Sequence, residues 1–395
     1  MDVAITLLQR TVEAAEAELI ALRRDLHAHP ELAWAEERTT GVVAAELERA
    51  GWRVERAPTS GLVAELGAVD GPAIALRADL DALPVTDTTG GPWASTVPGV
   101  AHACGHDVHT TALVGAARGL AAVHAAGLLP GRVRLLAQPA EEVMPGGAAQ
   151  FVADGRLADV ERIFALHCDP GVDVGRVGLR VGPLTSAADR LEVRLEGAGG
   201  HTSRPHLTGD LTYALATVAT QLPAVLSRRL DPRSGVSVVW GVLQAGSAAN
   251  VIPGHGRLAG TVRILDAEVW ERCEPVVRAT VLDLVRPYGV SAAVDYVRGV
   301  PPVVNDADSH DLLVRAVGAT LGEGAVVPVP QSLGGEDFGW YLQHVPGAMF
   351  RLGTRTPGGV VYDLHQGDLR VDEQAITVGA RVLGAAVLAT TQPLR

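Results

Sequence analysis

The chain has 395 residues, of which 47% are apolar and 20% are charged. That length exceeds what a single hydrophobic core usually organises, so two domains are expected. The formal net charge of −12 argues against nucleic acid as a partner, because phosphates require basic surfaces. All 33 basic residues are arginines, which excludes any mechanism with a catalytic lysine.

The first half of the chain alternates between helix and strand patterns. Helices are predicted near residues 3–28, 39–50 and 107–126, with Asp107 as the N-cap of the third and Gly51 directly after the second. Short apolar runs at 73–78, 132–138 and 162–166 are typical of buried strands. This alternation predicts an α/β fold with a mixed, mostly parallel sheet and flanking helices.

The pattern changes near Ser186. Residues 187–299 contain strand, helix, strand, strand, helix and strand signals in that order, which is the order of a ferredoxin-like α+β unit. Helical and strand signals then resume and end with a helix predicted over 373–389. We therefore expect a discontinuous domain of residues 1–186 and 300–395, with 187–299 inserted as a second domain.

Polar motifs follow the predicted buried strands. Asp79 and Asp81 come after the first run, Glu141 and Glu142 after the second, and His167 after the third. Ligands in open α/β sheets bind outside the carboxyl ends of strands, so these groups are predicted to converge along one edge.

One thiol, three imidazoles and one carboxylate of the polar motifs form a candidate ligand set: Cys104, His106, His167, His365 and either Glu141 or Glu142. Thiolate and imidazole ligands favour a borderline-soft divalent metal such as zinc over calcium. Five ligands exceed one open tetrahedral site and suit two metals that hold a hydrolytic water between them. The other glutamate of this pair is then a candidate general base.

Seven motifs together resemble the di-metal aminoacylase and carboxypeptidase family of metallopeptidases, the peptidase M20 family. Within it they are similar to the amidohydrolase branch of bacterial aminoacylases, hippurate hydrolases and auxin-conjugate hydrolases. The motifs occupy residues 23–32, 77–84, 102–107, 138–142, 199–201, 250–253 and 335–338. They span nearly the whole chain, and the resemblance implies the di-metal exopeptidase type of sheet.

The resemblance also implies roles for individual residues. Cys104 would lie near both metals, with His106 and His167 on one ion and with Glu142 and His365 on the other. Glu141 would be the general base. Asp81 would orient a ligand imidazole by accepting its second N–H. The inserted domain would act as a lid and dimerisation surface, in which His201 donates to the oxyanion in its own or a partner subunit's site. Asn250, Arg263 and Gly335 would contact the substrate, with Arg263 suited to a carboxylate.

These expectations describe a hydrolase that cleaves the amide bond of N-acyl amino acids or related small amide conjugates and forms a homodimer. The metals are expected to be zinc, with manganese, cobalt or nickel as alternatives. Three cysteines are too few for a disulfide framework, and residues 1–26 lack the pattern of a signal peptide, so a cytoplasmic protein without membrane association is expected.

Three alternative functions compete with this hypothesis. A carboxypeptidase or dipeptidase would use the same metal core on a different substrate. A cysteine hydrolase would use Cys104 as nucleophile and His106 as base, and would be indifferent to chelation. A non-catalytic binding protein on the same scaffold would have no use for Glu141 as a base.

Overall fold

The structure is a computed structural model, and it describes residues 2–390. No helix in that range combines the length and the hydropathy that a bilayer crossing requires. The helices are α1 Asp2–Ala14, α2 Glu16–Ala28, α3 Glu37–Arg49, α4 His106–Ala125, α5 Gly147–Ala153, α6 Leu211–Arg229, α7 Ala267–Val285, α8 Ala307–Leu321, α9 Gly339–Leu342 and α10 Gln374–Ala389.

The strands are β1 Arg53–Arg56, β2 Leu62–Leu66, β3 Ala73–Asp79, β4 Arg132–Gln138, β5 Val160–Asp173, β6 Val177–Leu179, β7 Gly182–Pro183, β8 Ala187–Glu196, β9 Gly200–His201, β10 Ser237–Ala245, β11 Val251–Ile252, β12 His255–Ile264, β13 Ser291–Val300, β14 Val304–Asn305, β15 Val326–Pro328 and β16 Gly347–Arg355.

These elements divide into two compact units. Within the described range, unit 1 holds residues 2–182, 305–330 and 340–390, and unit 2 holds residues 183–304 and 331–339. The segment 331–339 therefore groups with the inserted unit, whereas the sequence pattern had placed it in the discontinuous one. Its backbone explains this, since Ser332 exchanges hydrogen bonds with Leu184 and Ser186 at the start of the insertion.

Unit 1 is built on an eight-stranded sheet in the order β1-β2-β4-β3-β5-β16-β6-β15. Its central strands β4, β3, β5 and β16 are parallel to one another, and β6 is parallel to β15. The remaining neighbours are antiparallel. The predicted mixed, mostly parallel sheet is confirmed.

The core of unit 1 forms where α4 and α10 pack with α1. Helix α10 is apolar along almost its whole length and nearly all of its residues are buried. Leu8 of α1 is fully buried, and a methyl group added at Gly119 of α4 or Gly384 of α10 would lie 2.7 or 2.5 Å from Leu8 Cδ1. The two glycines thus leave room for this leucine between the three helices.

Two predicted elements differ in their bounds. The helix predicted over 3–28 is two helices, because Ala15 has φ −91° and ψ 0° and interrupts the regular conformation between α1 and α2. The strand predicted to end at Leu166 continues to Asp173, because β16 pairs with it up to that residue. Gly51, with φ 87°, follows the end of α3 as predicted.

Unit 2 contains a four-stranded antiparallel sheet in the order β10-β12-β8-β13. With α6 and α7 between the strands in sequence, this is the predicted ferredoxin-like arrangement. The face of β10 that carries Trp240 meets α6, because its indole N–H donates to the carbonyl of Ala219. Val239, on the opposite face, is 63% exposed, and Leu243, beyond a bulge after Trp240, is 57% exposed.

We expect Leu8→Ala to lower the free energy of unfolding by about 2–5 kcal/mol, because it leaves a cavity in a core that cannot fully collapse. Urea denaturation of the variant and of the wild type would measure the difference. Val3→Ala on the same helix is the control, since Val3 is 71% exposed and its truncation should cost about 0.5 kcal/mol or less. Equal effects of the two substitutions would contradict this description of the core.

Candidate metal centre

The central strands bring the predicted polar groups to one edge of the sheet in unit 1. Strands β3 and β4 end in register at Asp79 and Gln138. Ala165 of β5 pairs with Arg77 of β3, so His167, two residues further on, reaches the level of the end of β3. His167 therefore lies inside a strand rather than after one, but still at the carboxyl edge of its neighbour.

A glycine turn places Cys104 and His106 beside that strand. Gly105 has φ 86°, a conformation that favours glycine, and an added methyl group would lie 2.8 Å from Cys168 Sγ. Helix α4 begins immediately afterwards, at His106. Cys104 Sγ consequently lies 3.6 Å from His167 Nε2.

Asp107 is not the N-cap of α4, contrary to the prediction. It lies within the first turn, fully buried, and its Oδ2 is 2.7 Å from both Arg23 Nε and His27 Nδ1. Burial would raise the pKa of Asp107, but Arg23 and His27 hold it far below its usual value. The carboxylate therefore connects α4 to α2 and does not cap the N-terminus of α4.

The five predicted ligands fall into two overlapping groups. Cys104, His106 and His167 form one, and Cys104, Glu142 and His365 form the other; in each, the potential ligand atoms lie within 4.8 Å of one another. Cys104 belongs to both groups. This is the arrangement that two ions with a shared thiolate would require.

The donor atoms fit divalent cations. His106 Nε2 and Glu142 Oε1 are buried, and neither has a hydrogen-bond partner in the described part of the chain. They lie 3.7 Å apart, and Glu142 Oε1 is 3.4 Å from His365 Nε2. Burying polar atoms without partners is costly, and a bound cation would offset that cost.

His365 reaches this group from an unusual backbone conformation. Its φ is 62°, which is rare for a residue with a side chain, and its N–H donates to the carbonyl of Ala103 at 2.7 Å. The adjacent Glu142 carboxylate raises the pKa of His365. The backbone bond to Ala103 ties this distant segment to the turn that carries Cys104.

Asp81 contacts the imidazole of His106 through its backbone rather than its side chain. His106 Nδ1 donates to the backbone carbonyl oxygen of Asp81 at 2.9 Å, whereas the side-chain oxygen lies 3.5 Å away. The carboxylate instead accepts the backbone N–H groups of Glu141 and Glu142 at 3.0 and 2.9 Å. Asp81 therefore positions both glutamates and a ligand imidazole at once.

Two residues beside the site were not assigned a role from the sequence. Asp79 Oδ1 is 2.6 Å from His109 Nδ1, and His109 Nε2 accepts the N–H of Cys168, next to His167. Burial would raise the pKa of Asp79, but the charges of His106 and His109 hold it well below its usual value. The Asp79-Leu80-Asp81 pattern was visible, but nothing in it distinguished the two aspartates.

In unit 2 the structure places His201 and Asn250 next to each other. Val251 pairs with His201, and the N–H of Thr202 donates to the carbonyl of Asn250. His201 is exposed, and its Nδ1 accepts from the N–H and hydroxyl of Ser203 at 3.1 and 2.8 Å. A neutral His201 must then carry its proton on Nε2.

Arg263 and Gly335 are also brought together in unit 2. A methyl group added at Gly335 would lie 3.9 Å from Arg263 Nη1 and only 2.8 Å from Ala188 Cβ. Within the described chain, no carboxylate lies within 4.0 Å of the half-buried Arg263 guanidinium. Gly335 packs too closely against β8 to be replaced by a larger residue. The guanidinium group of Arg263 is available to bind an anion.

The unit 1 sheet and its buried thiol, imidazole and carboxylate groups are those of a metal-dependent hydrolase. A family model described as peptidase family M20/M25/M40 matches residues 75–389. The chain belongs to this family and is a metal-dependent amide hydrolase.

Relatives in several organisms cover most of the chain. A Rhodococcus jostii protein named putative glutamate–cysteine ligase 2-3 is 50% identical over 95% of this chain, which spans 47% of that protein's length. N-acetyl-L-cysteine deacetylase of Bacillus subtilis is 38% identical over 91% of this chain and 85% of its own. Thermostable carboxypeptidase 1 of Saccharolobus solfataricus is 34% identical over 97% of each chain.

A solved structure supports the same family. It is a dinuclear metal-binding peptidase of the M20 family from Bacillus subtilis, 33% identical to this chain. The two superpose with a TM-score of 0.82 over 96% of this chain and 99% of that one.

We expect Cys104→Ser to reduce bound metal from about two ions per chain to about one or fewer, because the thiol belongs to both ligand groups. Elemental analysis after dialysis against metal-free buffer would measure it. Cys273→Ser is the matched control, since Cys273 is a buried free thiol on α7 outside both groups. Equal metal content in the two variants would contradict the assignment.

Proposed function

We propose that the chain hydrolyses the amide bond of N-acyl amino acids, releasing a carboxylic acid and a free amino acid. The observation that carries this proposal is the position of Glu141. Its Oε2 lies 3.9 Å from His106 Nε2, yet it belongs to neither group that contains Cys104. A carboxylate beside a metal pair is what a general base requires. The similarity to a deacetylase of N-acetyl-L-cysteine supports this class of substrate.

The ions would be held by residues of unit 1. We propose that His106 and His167 bind one ion, that Glu142 and His365 bind the other, and that Cys104 binds both. The buried thiol favours zinc, with manganese, cobalt or nickel as alternatives. When bound, such ions polarise the amide carbonyl and lower the pKa of the attacking water.

Glu141 would carry the proton through the reaction. Its carboxylate oxygen takes a proton from the attacking water and later gives it to the leaving nitrogen, so the base ends each cycle as it began. Asp81 supports this role by holding the backbone N–H of Glu141 at 3.0 Å. The hydrogen bond limits rotation of the segment on which the base stands.

The residues of unit 2 would recognise the substrate. We propose that His201 donates its Nε2 proton to the developing oxyanion, which its bonds to Ser203 support by fixing the tautomer. Asn250, beside it, and Gly335 would contact the substrate backbone. Arg263, whose guanidinium has no carboxylate partner among residues 2–390, would bind the substrate carboxylate.

Glu141→Gln should lower kcat by about 10²–10⁴-fold while leaving metal content unchanged, because the amide cannot accept the proton. Hydrolysis of a panel of N-acyl amino acids by metal-replete protein, before and after chelation, would measure this.

Glu161→Gln is the control for this substitution, since Glu161 is an exposed glutamate on β5. Full activity of Glu141→Gln with metal bound would refute the role of the base. Activity that survives chelation would favour the cysteine hydrolase with Cys104 as nucleophile.

A carboxypeptidase or dipeptidase activity is the second candidate, supported by the similarity to thermostable carboxypeptidase 1. Both activities cleave an amide next to a carboxylate, so they differ in the group on the acyl side. The ratio of kcat/KM for N-acetyl amino acids to that for N-blocked dipeptides separates them. A ratio above one favours the deacylase.

Arg263→Gln should raise KM at least about tenfold for substrates with a free carboxylate, because a charge-assisted hydrogen bond is worth about 1.5–3 kcal/mol. The same substitution should change KM much less for the matching carboxamides. Arg228→Gln, at an exposed site on α6, is the control. Equal losses on carboxylate and carboxamide substrates would exclude this role for Arg263.

We further propose that the chain forms a homodimer through unit 2. Support comes from β10, a strand at the edge of its sheet that exposes Val239 and Leu243. Sedimentation analysis should give the mass of two chains, and Val239→Glu combined with Leu243→Glu should give that of one. A monomeric wild-type protein would overturn this proposal.

A further inference from the structure

Unit 1 contains a cavity of about 390 Å³ that is separate from the metal centre. It lies between α2, the segment 89–93, the end of β16 and the segment 356–372. None of the five candidate ligands, and neither Glu141 nor Asp81, lines it. Its volume is within the range of small-molecule sites, about 300–1,000 Å³.

The cavity wall carries three guanidinium groups, and one of them lacks a carboxylate partner. Arg23 is bound to Asp107, and Arg355 to Asp173 at 2.6 Å. Arg370 donates a hydrogen bond to the backbone carbonyl oxygen of Thr89. Within residues 2–390, no carboxylate lies within 4.0 Å of its guanidinium group. Arg370 is therefore the group that can bind an anionic ligand.

One carboxylate also lines the cavity, two residues along the chain from Arg370. Asp372 accepts the hydroxyl of Thr356 at 2.9 Å and the N–H of Gln374 at 3.1 Å, both neutral donors. No arginine or histidine of the described chain forms an ion pair with it. A cationic group on the ligand would form an ion pair with the Asp372 carboxylate. A ligand that carries only negative charge would be repelled by that carboxylate.

The remaining wall offers an unused polar group and an apolar surface. Thr354 is 1% exposed, and its hydroxyl has no hydrogen-bond partner among the described residues. Trp93 and Tyr362 supply aromatic surface, and Leu369 and Val371 supply aliphatic surface. A ligand with a small apolar group attached to its charged groups would be accommodated.

We propose that this cavity binds a free α-amino acid in its zwitterionic form. Its carboxylate pairs with Arg370 and its ammonium with Asp372, while its side chain packs against Trp93. The Thr354 hydroxyl donates to the same carboxylate. This binding is independent of the proposed hydrolysis, because no residue of the metal centre takes part.

Trp93 provides the signal for a direct test. L-leucine, glycine, acetate and methylammonium are titrated into full-length protein while tryptophan fluorescence is recorded, and Trp93→Phe identifies the part of the signal that comes from this cavity. We expect saturable binding of L-leucine that chelation does not change. Arg370→Gln and Asp372→Asn should each raise Kd at least about tenfold.

Arg56→Gln, at an exposed site on β1 outside the cavity, is the control and should leave Kd unchanged. Circular dichroism checks the fold, and Arg370→Lys, which keeps the charge but loses the planar fork, should give an intermediate Kd. Absence of a Trp93-dependent signal, an unchanged Kd in Arg370→Gln, or acetate binding as tight as that of L-leucine would each overturn the proposal. Loss of hydrolysis alone would leave it unaffected.

Discussion

The start of α4 is held by buried carboxylates on both sides, and the metal centre depends on this. Asp107 fixes the first turn to Arg23 and His27 of α2. On the other side Asp79, bound to Arg77 at 2.7 Å, contacts His109 one turn further along the helix. Removing one partner of a buried ion pair typically lowers the free energy of unfolding by about 3–5 kcal/mol. The two ion pairs therefore hold His106 in a fixed position. Candidate ligands that are preorganised in this way would need little rearrangement when an ion binds.

Much of the fold and of the candidate site could be predicted from local pattern. Buried apolar runs located β3 and β4, and the order of strands and helices in the insertion identified a ferredoxin-like unit. Parallel strands share a carboxyl edge, which is why residues as distant as Asp81 and His167 could be expected to meet. The metal site was indicated mainly by the chemistry of the residue types, which supply thiol, imidazole and carboxylate groups.

The differences arise where tertiary contacts override local signals. Asp107 has the residue type of an N-cap, but a buried arginine from α2 competes for its carboxylate. The extension of β5 beyond His167 depends on pairing with β16, which is about 180 residues away in the chain. Asp81 uses its backbone carbonyl for His106, and no sequence pattern reports which oxygen of an aspartate is used. Tertiary packing determines which of these contacts form.

The discontinuity of unit 1 has a consequence for the order in which the protein folds during synthesis. Its core needs α10, residues 374–389, to pack with α1 and α4, so the core cannot be complete until that helix has left the ribosome. The sheet of unit 2, by contrast, is complete once Val300 has emerged. Unit 2 can therefore fold first. During that time the N-terminal helices of unit 1 still expose their apolar faces. That interval is when the nascent chain is most dependent on chaperones.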